Sequence, residues 1–253
     1  MGIFDLLSKE GRAKGKLDSL IKKTTHKHVQ SADRFAAMEG LKEIGTDDAL
    51  YGLCRRFSFV YDKSQQDEEE KQWVEDTLVD LGDRSIGPLR RFIMQGETVS
   101  FPLRVLEKIA SPDKLFEVVD ELMAREEPGY TRHPEKKVQL LGWLGDWKAA
   151  PAPGDITRRV APYLKDFDEG VRFAAIEALA HAKPHEETSR LPLLEALLRP
   201  EEESRRILVR LSEVLADRNW TTAGVDAEAL AKLVAAKLPE FTLVKDRLVR
   251  KAK

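Results

Sequence analysis

An internal repeat constrains this chain more than any other feature of its sequence. Residues 34–41 read R-F-A-A-M-E-G-L, and residues 172–179 read R-F-A-A-I-E-A-L. The helical spacing of these segments, with apolar residues at i, i+4 and i+7, also fits four further places, and the fit is weak at the fourth and sixth copies. The copies recur about every 34 residues on average, which leaves room for two helices and two turns. Their last residues are Ile44, Leu81, Ile109, Leu144, Ala182 and Leu215.

Signals for a second helix follow several of these copies. Gly45 directly follows the first copy, and glycine suits the left-handed position that ends a helix. Thr46 and Ser111 stand where an N-cap is needed, and Pro112 follows at the first helical position. No segment alternates as a strand would, and the locally β-like residues 57–61 are interpreted as a helix end. We expect the second helices at 47–60, 84–95, 112–125, 154–166, 188–199 and 226–238.

Helix pairs of this size need neighbours, because one pair cannot bury its apolar face alone. The sequence therefore predicts an all-α fold, an α-α superhelix of about six helix pairs over residues 31–238. Arg34–Leu53 reads R-F-A-A-M-E-G-L-K-E-I-G-T-D-D-A-L-Y-G-L, and Val171–Leu179 repeats its first part. These segments resemble the HEAT-repeat family, in particular the bacterial HEAT-like or PBS-lyase-type repeats. The resemblance implies a HEAT-like solenoid, and it bears on the fold far more than on the function.

The charge is unevenly distributed along the chain. The total is −2, but residues 1–34 carry about +4, residues 241–253 about +4 and the rest about −10. We expect residues 1–30 to form a basic arm and a capping helix, and residues 239–253 to form a basic helix or tail. These charges either cover solvated faces or steer the chain toward an acidic surface.

The first residues allow two interpretations. An apolar helical face is expected from Ile3, Phe4, Leu6 and Leu7, and residues 8–16 read as a flexible basic linker. The apolar segment either folds back to cap the first repeat or docks onto a partner.

Arginine pairs in the expected second helices are the most specific binding signal. Two adjacent residues cannot both face the core, so one of each pair should point into a groove or toward a neighbour. A guanidinium recognises a carboxylate through two parallel hydrogen bonds. The resemblance places the second helices on the concave face, so we predict arginines that grip an acidic protein segment. The alternative is ion pairing within the chain. The residues are Arg55, Arg56, Arg90, Arg91, Arg158 and Arg159.

Three polar stretches, at 62–70, 126–136 and 147–155, exceed a tight turn. Long loops on a repeat scaffold often carry binding, although a plain connector is the alternative. Tyr130 and Arg132 in the second stretch are candidate binding residues. Trp220, among polar residues, is an interface candidate if it is exposed and a core residue otherwise.

Signals for catalysis are missing from the sequence. The single cysteine, Cys54, fits a helical core position and excludes a disulfide framework or a thiolate-rich zinc site. The two glycine-rich motifs that bind phosphates, G-x-x-x-x-G-K-[ST] and G-x-G-x-x-G, are both absent from the sequence. The five histidines form no H-E-x-x-H, the motif of a zinc site. The deoxyhypusine hydroxylase type of HEAT enzyme uses several His-Glu pairs, whereas this chain has only His185-Glu186. We expect no catalytic residue, no metal and no cofactor.

These observations predict a non-enzymatic, cytoplasmic scaffold or regulatory adaptor that binds an acidic partner protein on its concave face. Through the resemblance, signalling components such as small GTPases are candidate partners. We expect a monomer or weak oligomer with no membrane span.

Two other functions stay open. The first is a HEAT-like DNA glycosylase or nucleic-acid-binding protein, although the acidic body opposes phosphate binding. Stacking residues for such an enzyme would come from Trp73, Trp143, Trp147 and Trp220. The second is an accessory lyase or chaperone that acts on a modified protein.

Overall fold

The computed structural model describes residues 3–62, 64–148, 153–181 and 186–252. The chain is predominantly helical, at 72%, and the described residues contain thirteen α-helices and one small two-stranded sheet. Two compact units divide the chain, Met1–Met123 and Ala124–Lys253.

The first unit is built from helices that follow one another along the chain. They are α1 Ile3–Thr24, α2 Ser31–Ile44, α3 Asp47–Cys54, α4 Ser64–Asp80, α5 Ile86–Gln95, α6 Ser100–Ile109 and α7 Pro112–Arg125, whose end extends past the boundary. Within this unit α2 contacts α4, α4 contacts α6, and α3 contacts α5. At these three contacts a helix of one pair therefore packs on its counterpart in the next pair. Leu41, Leu53, Leu78 and Leu106 are among the fully buried side chains.

The second unit continues the alternation and ends in a hairpin. Its elements are α8 Glu135–Asp146, α9 Pro153–Val160, α10 Glu169–His181, α11 Glu186–Leu197, α12 Arg205–Asp217, α13 Ala227–Lys237, β1 Phe241–Val244 and β2 Arg247–Arg250. Within this unit α8 contacts α10, α10 contacts α12, and α9 contacts α11.

The predicted helix pairs correspond to α2–α3, α4–α5, α6–α7, α8–α9, α10–α11 and α12–α13. The caps at the turn between α2 and α3 are also as predicted. Gly45 is left-handed with φ 58°, and its N–H donates to the Leu41 carbonyl. The Thr46 hydroxyl then accepts from the Ala49 N–H at 3.3 Å.

Two regions near the N-terminal half differ from expectation. Residues 8–16 belong to the continuous helix α1 rather than to a linker, because lysine, arginine and alanine favour helix and outweigh two glycines. The stretch 62–70 is not a loop, since α4 begins at Ser64. The side chains of Ile3, Phe4, Leu6 and Leu7 lie outside the described part of the structure, so their capping or docking role stays a prediction.

The expected basic helix or tail over 239–253 was wrong for residues 241–250. These residues form an antiparallel hairpin in which Phe241 lies opposite Arg250. The first strand, F-T-L-V, holds one aromatic and two β-branched residues, which fit a pleated surface better than a helix, and the second strand, R-L-V-R, pairs with it along its whole length. Lys245, with φ 56°, makes the tight turn, and Phe241 and Leu248 are buried beneath it.

Candidate functional site

A groove of about 740 Å³ lies in the first unit, where α1, α3 and α5 come together. Its apolar wall includes Leu17, Ile21 and Ile44. The charged lining residues are four cations and two acids, so the groove carries positive charge in excess. They are Lys14, Lys16, Arg55, Arg91, Asp18 and Asp48.

The groove depends on a close approach of α1 to α3. A Cβ atom at Gly52 would lie 2.5 Å from Cγ1 of Ile21 and 2.7 Å from its Cδ1. Only glycine therefore lets Ile21 rest directly on α3. Asp48 and Tyr51 on α3 and Arg55, the residue directly after it, follow at the i, i+3 and i+7 spacing that brings side chains onto one helix face.

The two residues of the first arginine pair have opposite environments. Arg55 is exposed and lines the groove, and its side chain makes no hydrogen bond or ion pair with any described residue. Arg56 is 0% exposed and points into the unit. Arg55 is thus the member of this pair that lines a groove, and Arg56 is the member that lies inside the unit. Arg56 itself, however, cannot contact a partner while the unit is folded.

Arg91 lines the same groove as Arg55 and is held in place from two directions. Its Nη1 donates to Asp48 Oδ1 at 2.6 Å. Its guanidinium also lies over the Tyr51 ring, 4.1 Å from the ring centroid, in a cation–π arrangement. The Tyr51 hydroxyl donates in turn to Gln95 Oε1 at 3.1 Å. Arg91 is therefore oriented before any ligand arrives.

The other predicted arginines are engaged within their own units. Arg90 forms an ion pair with Glu121 at 2.6 Å. Arg158 forms one with Asp155 at 2.7 Å, and Arg159 Nη1 donates to the Asp155 carbonyl at 3.3 Å. Of the six predicted arginines, the structure brings only Arg55 and Arg91 to this groove.

A buried ion cluster, which the sequence did not reveal, explains where Arg56 points. Glu70 accepts from Arg34 Nη2 at 2.7 Å and from Arg56 Nε at 2.8 Å. Arg56 also pairs with Asp67 at 2.6 Å, and Lys71 pairs with the same carboxylate at 2.6 Å. The cluster joins α2, the turn after α3 and the first turns of α4.

The pKa values of the cluster carboxylates are lower than usual. Burial alone raises the pKa of Glu70, but hydrogen bonds from Arg34 and Arg56 more than offset this effect. Burial likewise raises the pKa of Asp67, and hydrogen bonds from Lys71 and Arg56 lower it further than burial raises it. Both groups are therefore held in the charged form inside the unit.

The arginine of the repeated R-F-A-A segment has the same structural role in both units. Arg34 Nη1 donates to the Val29 carbonyl, and Arg172 Nη1 donates to the Phe167 carbonyl at 3.0 Å, five residues back in each case. Arg172 also donates from two nitrogens to one buried glutamate, Glu202, at 2.7 and 3.1 Å. Arg34 contacts Glu70 in the same way. The repeated arginine at 34 and 172 was visible in the sequence and could have indicated a shared role. Its acidic partners, Glu70 and Glu202, share no sequence pattern that would have identified them.

An exposed aromatic pair in the second unit joins the loop after α7, which contains Tyr130, to the connection before α10, which contains Phe167. Tyr130 and Phe167 are 77% and 71% exposed and meet edge to face with centroids 5.5 Å apart. The loop is fixed from beneath, because buried Asp166 pairs with Lys137 at 2.9 Å and accepts from the Gly129 N–H at 3.0 Å. Arg132 is exposed and has no partner among the described residues.

Trp220 does not meet the condition for an interface residue. Its side chain is only 5% exposed, and Trp143 and Trp147 are also buried. Burial of apolar surface accounts for these positions.

Neither a reactive thiol nor a metal centre is found among the described residues. Cys54 is fully buried, and burial raises the pKa of its thiol, which disfavours the reactive thiolate. No group of three or more His, Cys, Asp or Glu side chains is placed to hold a metal within the described ranges. His185 lies outside them. No described helix is both long and apolar enough to cross a bilayer.

Comparisons with protein-family models, with curated proteins and with solved structures found no match to this chain.

Proposed function

We propose that this chain is a non-enzymatic, HEAT-like interaction adaptor whose first-unit groove binds an acidic segment of a partner protein. The observation that carries the proposal is the state of the two groove arginines. Arg55 has no partner among the described residues, and Arg91 is oriented by Tyr51. Both guanidiniums are exposed, so a ligand can reach them without unfolding the unit.

The repeat organisation supports the HEAT-like part of this proposal. Six helix pairs follow one another, and inside each unit a helix packs on its counterpart in the next pair. At each copy of R-F-A-A the arginine pairs with a buried glutamate outside its own helix: Arg34 with Glu70 on α4, and the half-buried Arg172 with Glu202 just before α12. Stacked pairs of this kind form superhelices with a concave binding face. The signalling components that the resemblance implies, small GTPases among them, are candidate owners of the acidic segment.

The chemistry of the groove favours carboxylates on an apolar backing. Guanidiniums bind carboxylates through two parallel hydrogen bonds, and lysines add charge without fixing geometry. Leu17, Ile21 and Ile44 offer apolar surface to aliphatic side chains between the acids. Asp18 and Asp48 in the same lining disfavour a continuous phosphate backbone, which needs a uniformly basic track.

The test compares two variants that change the charge by the same amount. Arg55→Glu reverses a groove charge, and Lys114→Glu reverses an exposed charge on α7 outside the groove lining. Proteins captured from an extract by the immobilised chain are identified, and each candidate is then purified and titrated against all three forms.

A partner of this groove should lose at least tenfold in affinity with Arg55→Glu and keep its affinity with Lys114→Glu. Equal loss with both variants would indicate general charge attraction and contradict the proposal. A partner whose binding ignores Arg55 would contradict it as well.

A further inference from the structure

Asp48 already occupies the position that a partner carboxylate would take on Arg91. The Asp48 carboxylate accepts from Arg91 Nη1 at 2.6 Å, at the same groove wall that contains Arg55. We propose that Asp48 is a built-in competitor, an internal carboxylate that an acidic partner segment displaces from Arg91. This inference rests on the proposed function of the groove.

The Arg91–Asp48 ion pair is of the kind that exchanges readily. Both side chains are accessible to solvent, with Arg91 45% and Asp48 68% exposed. Exposed ion pairs of this type contribute little, since water and salt compete for both partners. A second carboxylate can therefore replace Asp48 without a buried charge being left behind.

Arg91 keeps its position when Asp48 is removed. The guanidinium lies on the Tyr51 ring, and Tyr51 is itself fixed by its hydrogen bond to Gln95 and by an edge-to-face contact with Phe92, whose ring centroid lies 6.3 Å from that of Tyr51. Asp48 is therefore not needed to orient Arg91. Its loss frees a donor and removes a negative charge from the groove.

Asp48 also lies in the first turn of α3, where an acid is favourable next to the helix N-terminus. Asp47 shares this position in the first turn but does not line the groove. Asp47→Asn is thus a matched control, because it removes the same charge from the same helix end.

The probe is a short fluorescein-labelled peptide in which glutamate and leucine alternate, with a glutamine–leucine counterpart. Binding is followed by fluorescence anisotropy for the full chain and for Asp48→Asn, Asp47→Asn and Arg55→Glu. We expect Asp48→Asn to bind the glutamate peptide about two- to fivefold more tightly, the range that corresponds to one exposed ion pair. Asp47→Asn should bind like the unsubstituted chain, and the glutamine peptide should gain nothing from either change.

Weaker binding by Asp48→Asn would show that Asp48 positions Arg91, and equal effects of the two asparagine variants would show a general charge effect. Either result overturns the competitor role while leaving the groove itself intact, provided that Arg55→Glu still abolishes binding. If Arg55→Glu binds the glutamate peptide as tightly as the unsubstituted chain does, or if no form binds it, the proposed function of the groove fails, and the competitor role fails with it.

Discussion

Loss of the Glu70 carboxylate should strongly destabilise the first unit. This carboxylate is 0% exposed and accepts from Ser31, Arg34 and Arg56. Among the described residues, Arg34 has no other ion-pair partner. In Glu70→Gln the new amide also presents donors to guanidinium groups that themselves only donate. Arg34 would then be buried without a counter-charge, and Arg56 would keep only one of its two, Asp67.

The expected loss is about 3–5 kcal/mol, the range for removing one partner of a buried ion pair. At ordinary urea sensitivities this lowers the unfolding midpoint by on the order of 2 M. Hydrogen exchange in a urea series, read by mass spectrometry on peptides from α2 and α4, reports the unfolding of this cluster directly. Arg34→Met combined with Glu70→Gln should cost less than the two changes added, because it removes a charge that would otherwise be buried alone.

The control is Glu68→Gln, two residues away on the same helix, where the side chain is exposed and has no partner among the described residues. It should change the stability by no more than about 0.5 kcal/mol. Equal midpoints for Glu70→Gln and Glu68→Gln would refute the view that this cluster holds α2 and α4 together.

Acid should reveal the same cluster. The pKa values of Glu70 and Asp67 are lower in the folded unit than in the unfolded chain. As the pH falls, these two carboxylates therefore take up protons in the unfolded chain before they do so in the folded unit. The stability that they contribute is complete only above the ordinary pKa values, 4.5 for glutamate and 3.8 for aspartate. It is lost as the pH falls through the lowered folded values. In Glu70→Gln the urea midpoint should depend less steeply on pH in this acidic range.

Two further substitutions test the packing beneath each surface. Gly52→Ala forces Ile21 to move and should destabilise α1 docking by about 1–3 kcal/mol, seen as faster exchange in α1. Gly87→Ala, with nothing within 4 Å of its Cβ, should leave α1 exchange unchanged, and equal exchange in both variants would contradict the close approach. Lys137→Met leaves Asp166 buried without its cation and should cost about 3 kcal/mol, with faster exchange in residues 126–134. Unchanged exchange there would show that the ion pair does not hold the loop.

Local sequence signals were enough to place most of the helices. The glycine and threonine at 45 and 46 marked a helix end and a cap, and the structure shows both. Apolar spacing located both helices of every pair because each has one face to bury. The hairpin at 241–250 was missed, because four-residue strands carry too short a pattern to distinguish from a helix.

The candidate site was only partly predictable. Adjacent arginines had to split, but which of Arg55 and Arg56 turns inward depends on acids at 67 and 70. Those acids were assigned to a loop, since charged residues in the first turns of a helix resemble a solvated connector. Asp48 gave no signal either, because its meeting with Arg91 is set by the packing of α3 on α5.

Binding of acidic segments in the groove between α1, α3 and α5 can be observed directly. The most direct measurement is the position of a bound probe, taken from photo-crosslinking of the glutamate–leucine peptide with a benzophenone at its centre. Peptide mapping by mass spectrometry should find the crosslinks within residues 13–21 and 44–55, with the signal lost in Arg55→Glu. Crosslinks concentrated in residues 124–252, or unchanged by Arg55→Glu, would show that acidic segments do not bind in this groove.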